Sequence, residues 1–172
     1  MKKILFSALA LILLFVACSK SNSSKPAPYG ISATINGKAT TFNGFITVDT
    51  TGGQIDISGS TDTLTGGFPE LEFLITPASG AVKPGLYPNQ ALVNPNAANS
   101  YLNYLTTPGG GISNTIQFGS YDDSLTVTSI SSTAISGTFH GTADYHYFDP
   151  NALAFKDSII TITNGTFNVK FK

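Results

Sequence analysis

The sequence predicts an all-β fold: a single antiparallel β-sandwich of about ten strands, with a closed or partly open lipocalin-like β-barrel as the alternative. Two patterns lead there. Apolar and polar residues alternate through much of the chain, as in Ile31-Ser32-Ala33-Thr34-Ile35 and Leu71-Glu72-Phe73, the period-two pattern of half-buried strands. Short Gly, Pro and Asn punctuation separates these runs, and no long amphipathic helical stretch interrupts them. Composition agrees. Charged residues are 11% of the 172, well under the usual quarter or so, and polarity rests instead on Ser, Thr and Asn.

The chain opens with Lys2 and Lys3, an uncharged apolar run from Ile4 to Val16, and Ala17-Cys18. That layout is a secretory signal, and the run is shorter than the roughly 20 residues a membrane span requires. Val16-Ala17-Cys18 resembles the lipobox of lipoprotein signal peptidase, with Phe15 where Leu is common. The resemblance implies cleavage after residue 17, lipidation of Cys18 and anchoring through its acyl chains, since more than one chain gives stable membrane attachment. Cys18 is the sole cysteine, so the remaining domain has no disulfide, thiolate zinc site or thiol nucleophile. Residues 18–29, Ser-rich and ending in two prolines, read as a flexible tether.

From Gly30 onward the elements follow in order, making 30–172 one β domain. Asn36-Gly37 is a hairpin signal, because a type I′ turn needs positive φ at both central residues. The return strand reaches Phe42, and Asn43-Gly44 suggests a bulge before Phe45, Ile46 and Val48. Gly52-Gly53 turns the chain into Ile55 and Ile57. Leu71, Phe73 and Ile75 form the next strand, with Glu70 and Glu72 opposite them, and Lys83-Pro84-Gly85 begins a short piece at Leu86-Tyr87. Residues 88–111 are the least regular. There Asn94-Pro95 could cap a helix, although a strand over 100–107 suits its neighbours better. Ile116-Phe118 and Leu125-Val127 read as two strands joined across Tyr121-Asp122-Asp123. A long strand carries Ile135, Phe139, Ala143, Tyr145 and Tyr147. Asn164-Gly165 reads as a turn between Ile160-Ile162 and the closing Phe167-Val169-Phe171 strand.

Ala33-Thr34-Ile35-Asn36-Gly37-Lys38, Pro84-Gly85-Leu86-Tyr87-Pro88, Ile135-Ser136-Gly137-Thr138-Phe139 and the stretch from Ile162 to Lys170 (ITNGTFNVK) occur here in that order. In that order, after a lipobox, they resemble small Bacteroidota lipoproteins of unknown function. The resemblance implies an all-β envelope domain and carries no catalytic residues. Some such lipoproteins carry an acidic run after the cysteine that directs them to the cell surface. SKSNSSK has none, which points to an outer-membrane lipoprotein on the periplasmic face. Four Asp-Ser/Thr tripeptides, with acceptors Thr50, Thr63, Ser124 and Ser158, resemble the O-glycosylation sequence of exported Bacteroidota proteins. Asp-Ser/Thr is also ordinary turn chemistry.

No arginine is present, so the forks and basic patches that bind nucleic acid are missing, and no cofactor motif occurs. Asp144 and His146, two apart on one strand face, could join in a metal site if another element supplied a third ligand. His140 shares that parity but lies some 20 Å from His146 along a strand. Glu70 and Glu72, or Asp122 and Asp123, could act as a hydrolase carboxylate pair, although no nucleophile–base–orienter set accompanies them. Tyr87, Tyr101, Asn103 and Tyr104 offer flat apolar faces and amide groups for a glycan or peptide. The leading expectation is therefore a lipid-anchored, non-catalytic binding or structural domain with a glycan, peptide or envelope-protein ligand. An envelope hydrolase or metal-dependent enzyme is the alternative.

Overall fold

A computed structural model of the chain describes residues 28–62, 68–89, 97–107 and 116–171. Residues 1–27, on which the expected signal, Cys18 and most of the expected tether fall, and Thr63, Asn94 and Asn96 lie outside the described residues. Ten strands form: β1 (Gly30–Ile35), β2 (Lys38–Thr41), β3 (Phe45–Thr51), β4 (Gln54–Ser60), β5 (Glu70–Thr76), β6 (Gly85–Pro88), β7 (Asn99–Thr106), β8 (Ile116–Ile130), β9 (Ala134–Asp149) and β10 (Ala154–Lys170). All pairings are antiparallel. They make one sheet in the order β2-β1-β10-β9-β8-β7-β5-β4-β3, with β6 beside β8. Residues 99–106, open between helix and strand in the sequence, are a strand.

The order of the sheet dictates its curvature. β2 and β3 stand at opposite ends of it, yet only residues 42–44 join them. Laid flat, the two edges would be eight interstrand steps apart, roughly 38 Å. Four residue steps of extended chain reach about 14 Å. The sheet therefore curls until its edges face each other. Phe42 N–H donates to the Ile31 carbonyl at 2.8 Å, and Gly44 N–H donates to the Ser60 carbonyl at 2.9 Å. Asn43 Oδ1 accepts from Ile31 N–H at 2.8 Å. The bulge expected at Asn43-Gly44 is thus a corner, carrying the chain from one edge of the sheet to the other.

Curling places the alternating apolar face inside. The Phe73 ring on β5 lies 5.2 Å from Phe139 on β9 and 5.1 Å from Phe167 on β10. The two layers of the core are thus opposite walls of one continuous sheet. Ile31, Phe42, Ile57, Leu71, Leu125, Ile135 and Ile162 are among the fully buried side chains.

Two expected turns are bulges inside long strands. Tyr121 is an extra residue between Ser120 and Asp122 in the β8–β9 register. The parity changes there, so both Ser120 and Asp123 are buried. In β10 the register shifts between Ile162 and Gly165, with Asn164 at φ 52°. Asn-Gly serves both a two-residue turn and a bulge with a residue in the left-handed region, and here the long partner strand β9 keeps β10 continuous. Asn36 and Gly37, at φ 47° and 80°, do form the expected hairpin turn.

Gly44→Ala should separate corner from turn. A Cβ at Gly44 would lie 2.1 Å from the Asp62 carbonyl oxygen, whereas nothing lies within 4 Å of one at Gly37. In urea melts Gly44→Ala is expected to lose about 2–3 kcal/mol, in the upper range for single substitutions. Gly37→Ala should lose about 1 kcal/mol, from its positive φ alone.

Candidate functional site

The curl leaves a seam beside β2, which among the described residues pairs only with β1. The two-residue turn makes Ile35 and Lys38 a hydrogen-bonded pair. By alternation Ala33–Thr40 is the next such pair, which leaves the N–H and C=O of Ala39 and Thr41 directed at the free edge. Across the seam stand Thr61, Pro69, Tyr104 and Thr106, and a cavity of about 680 Å³ lies between. Ile35, Phe118 and Ile160 form its apolar wall. Tyr104 is half-buried there, its ring 6.4 Å from Phe42 and 6.1 Å from Phe118. Burial pushes its phenol up, against a hydrogen bond with Thr106. Among the described residues, Lys38 is the one charged side chain lining this cavity.

The structure separates the four tyrosine and asparagine candidates. Tyr87 is 5% exposed, and its hydroxyl donates to the Lys83 carbonyl at 2.8 Å and accepts from Lys83 N–H at 3.0 Å. Its ring is core, which corrects its reading as a ligand group. Tyr101 and Asn103 share the outer face of β7. Asn103 is 8% exposed and donates to Glu72 Oε2 at 3.1 Å, while its Oδ1 has no hydrogen-bond partner among the described residues. The Tyr101 hydroxyl covers Gly119, where a Cβ would come within 2.6 Å of it. Tyr104 alone of the four lines the seam. Residues 99–106 are a strand, as expected over 100–107, and its alternation sends Tyr101 and Asn103 to one face and Tyr104 to the other.

Asp144 and His146 do share one face of β9. His146 Nδ1 is 2.5 Å from Asp157 Oδ1 on β10, and its ring stacks on Phe155. His140 is exposed further along, paired in register with Ser124. Among the described residues, no three His, Cys, Asp or Glu side chains come together where they could hold a metal. Glu70 and Glu72 share the outer face of β5. Burial pushes Asp56 up, helped by the charges of Glu72, Asp49 and Glu70. Burial also raises Glu70, with a Ser58 hydrogen bond opposing it and the Glu72 charge adding to it.

Asp122 and Asp123 do not form a carboxylate pair. Asp122 is exposed, whereas Asp123 is 5% exposed inside the sheet. Its carboxylate accepts from Ser120 Oγ, from Ser100 Oγ at 2.8 Å and from Asn89 Nδ2 at 2.6 Å. Ser120 Oγ also accepts from Leu102 N–H at 3.0 Å. This cage ties β7 and β8 to the residue after β6. Burial raises the Asp123 carboxyl above its ordinary value, opposed by those three hydrogen bonds. Nothing in the local sequence marks it, because the Tyr121 bulge is what turns it inward.

Of the glycosylation candidates, Thr50 is exposed beside the Gly52-Gly53 turn, Ser124 is half-buried in β8, and Ser158 lines the seam. Thr63 lies outside the described residues. In comparisons with protein-family models, curated proteins and solved structures, nothing matches the chain.

Asp56, Glu70 and Asp123 all bind protons more tightly in the folded chain than unfolded. Their contribution to stability is complete below the ordinary values of 3.8 and 4.5 and is lost as pH rises through the raised folded values. Thermal melts should therefore show these acids favouring mildly acidic solution over neutral. Asp123→Asn, which removes one titrating group, should flatten that slope. A slope unchanged by Asp123→Asn would contradict this account.

Proposed function

We propose that the protein is a lipid-anchored, non-catalytic binding domain of the cell envelope that takes an extended peptide segment along the free edge of β2. The observation that carries this reading is the seam: backbone groups at Ala39 and Thr41 with no strand partner among the described residues, beside a cavity of about 680 Å³ that mixes polar and apolar lining. Strand addition draws affinity from such an edge, and specificity from neighbouring pockets that take alternate side chains. Tyr104, Phe118, Ile35 and Ile160 would supply those pockets, and Lys38 favours a peptide with an acidic residue at that end. The leader and Cys18 support anchoring at a membrane. The tether without an acidic run favours the periplasmic face of the outer membrane. None of Glu70, Glu72, Asp144 and His146 lines this cavity.

The test is peptide selection on the full-length protein in detergent, followed by hydrogen exchange. Bound peptide should slow exchange at Ala39 and Thr41. Ala39→Pro removes an outward N–H from an edge strand, where proline is tolerated, and should cut peptide affinity at least tenfold. Equal affinity in the variant, or no peptide selected, would sink the reading. Cys18→Ser should leave the protein unlipidated and free of membranes, read by intact mass and fractionation; lipid on that variant would refute Cys18 as the anchor.

A further inference from the structure

On the outer side, starting at Thr41 next to the seam and running away from it, the strand register builds an uncharged hydroxyl surface. Thr41, Ser32, Thr166, Thr138 and Thr126 pair in sequence across β2, β1, β10, β9 and β8. Their chain neighbours Ile31, Ala33, Phe167, Phe139, Leu125 and Val127 are buried, so strand alternation turns this row outward. Ser32 Oγ and Thr166 Oγ1 are hydrogen-bonded at 2.9 Å. The row spans four interstrand steps, roughly 19 Å.

Two hollows open on this surface. One of about 580 Å³ runs from Tyr29 over Ser32, Ser136 and Asn168 to Thr166. The other, about 520 Å³, runs from Thr166 over Thr138 to His140. They share Thr166 and make one trough. Among the described residues no Asp, Glu or Lys lines either hollow, and Asp49, Asp56, Glu70 and Glu72 sit on β3, β4 and β5. The β10 register shift between Ile162 and Gly165 lies at the second hollow, and the β1 shift between Ser32 and Thr34 lies beside the first. Tyr29, 54% exposed, stands at one end with Lys170 Nζ 4.3 Å from its ring centroid.

We propose that this trough is a second binding site, independent of the seam, for a neutral polysaccharide chain. Hydroxyl and amide side chains both donate and accept without charge, which matches the hydroxyls of a sugar chain. The Tyr29 ring offers an apolar face at the end of the row. The trough lacks what other ligands would require. Among the described residues an anionic polymer meets a single cation, Lys170 beside Tyr29 at one end, and a peptide finds no free edge at β1, β10 or β9, which are hydrogen-bonded on both sides.

The experiment is affinity electrophoresis of the full-length protein in detergent through gels containing dextran, with cellohexaose and chitohexaose as soluble competitors. Retardation by dextran, or its relief by either hexasaccharide, is expected for the wild type. Thr138→Glu puts a charge at an exposed position in the middle of the row and should weaken retention at least tenfold. Tyr29→Ala should weaken it several-fold, and Ala39→Pro should leave it unchanged, which separates this site from the seam. No interaction with any of the three sugars, binding to heparin alone, or wild-type retention in both Thr138→Glu and Tyr29→Ala would overturn the proposal.

Discussion

Three residues, Phe42, Asn43 and Gly44, set the geometry on which everything else depends. They join the first and last strands of the sheet order, so the sheet has no flat form compatible with its own connectivity. Backbone hydrogen bonds from Phe42 to Ile31 and from Gly44 to Ser60 hold the corner to both walls, and the fully buried Phe42 ring anchors it from inside. Sheets twist and curl by their own sterics. Here the short connection selects the degree of curl that brings β5 onto β9 and β10.

With no cysteine after the leader, the domain has no covalent staple, and its core must hold by burial and hydrogen bonding. The aromatic contacts of Phe73 with Phe139 and Phe167 supply the apolar part. The Asp123 cage is the polar part, and it is an exposure to risk as well as a tie. A buried carboxylate is tolerable when its acceptors are satisfied, and here Ser100, Ser120 and Asn89 satisfy them. Because the cage joins three segments far apart in sequence, it specifies their register more sharply than interchangeable apolar contacts could.

The same curl distributes the surfaces available for recognition. It leaves β2 with one hydrogen-bonded neighbour among the described residues and a cavity at its side. It also presents the hydroxyl row of β2, β1, β10, β9 and β8 on the outside, and it sets Asp49, Asp56, Glu70 and Glu72 near one another on β3, β4 and β5. A free edge recognises backbone, an uncharged hydroxyl trough recognises polyols, and like charges packed together raise one another's proton affinity. These are three distinct chemistries on one small domain.

Strand alternation made the inward faces of β1, β4, β5 and β9 legible in the sequence, because a pleated strand must place alternate side chains on opposite faces. The Asn36-Gly37 and Gly52-Gly53 hairpins were legible too, since few residues tolerate positive φ at successive positions. Sequence alone also determined the absence of disulfides from the domain and the signal-like character of the leader. Only the tertiary structure decided that Asn164-Gly165 and Tyr121 are bulges, that Asn43-Gly44 is a corner, that Tyr87 belongs to the core, and that β2 borders an open seam. Each of those outcomes depends on which distant strand lies alongside. A local pattern can specify a residue's face within its own strand, but long-range pairing determines whether the strand continues, what covers it, and whether its edge is closed.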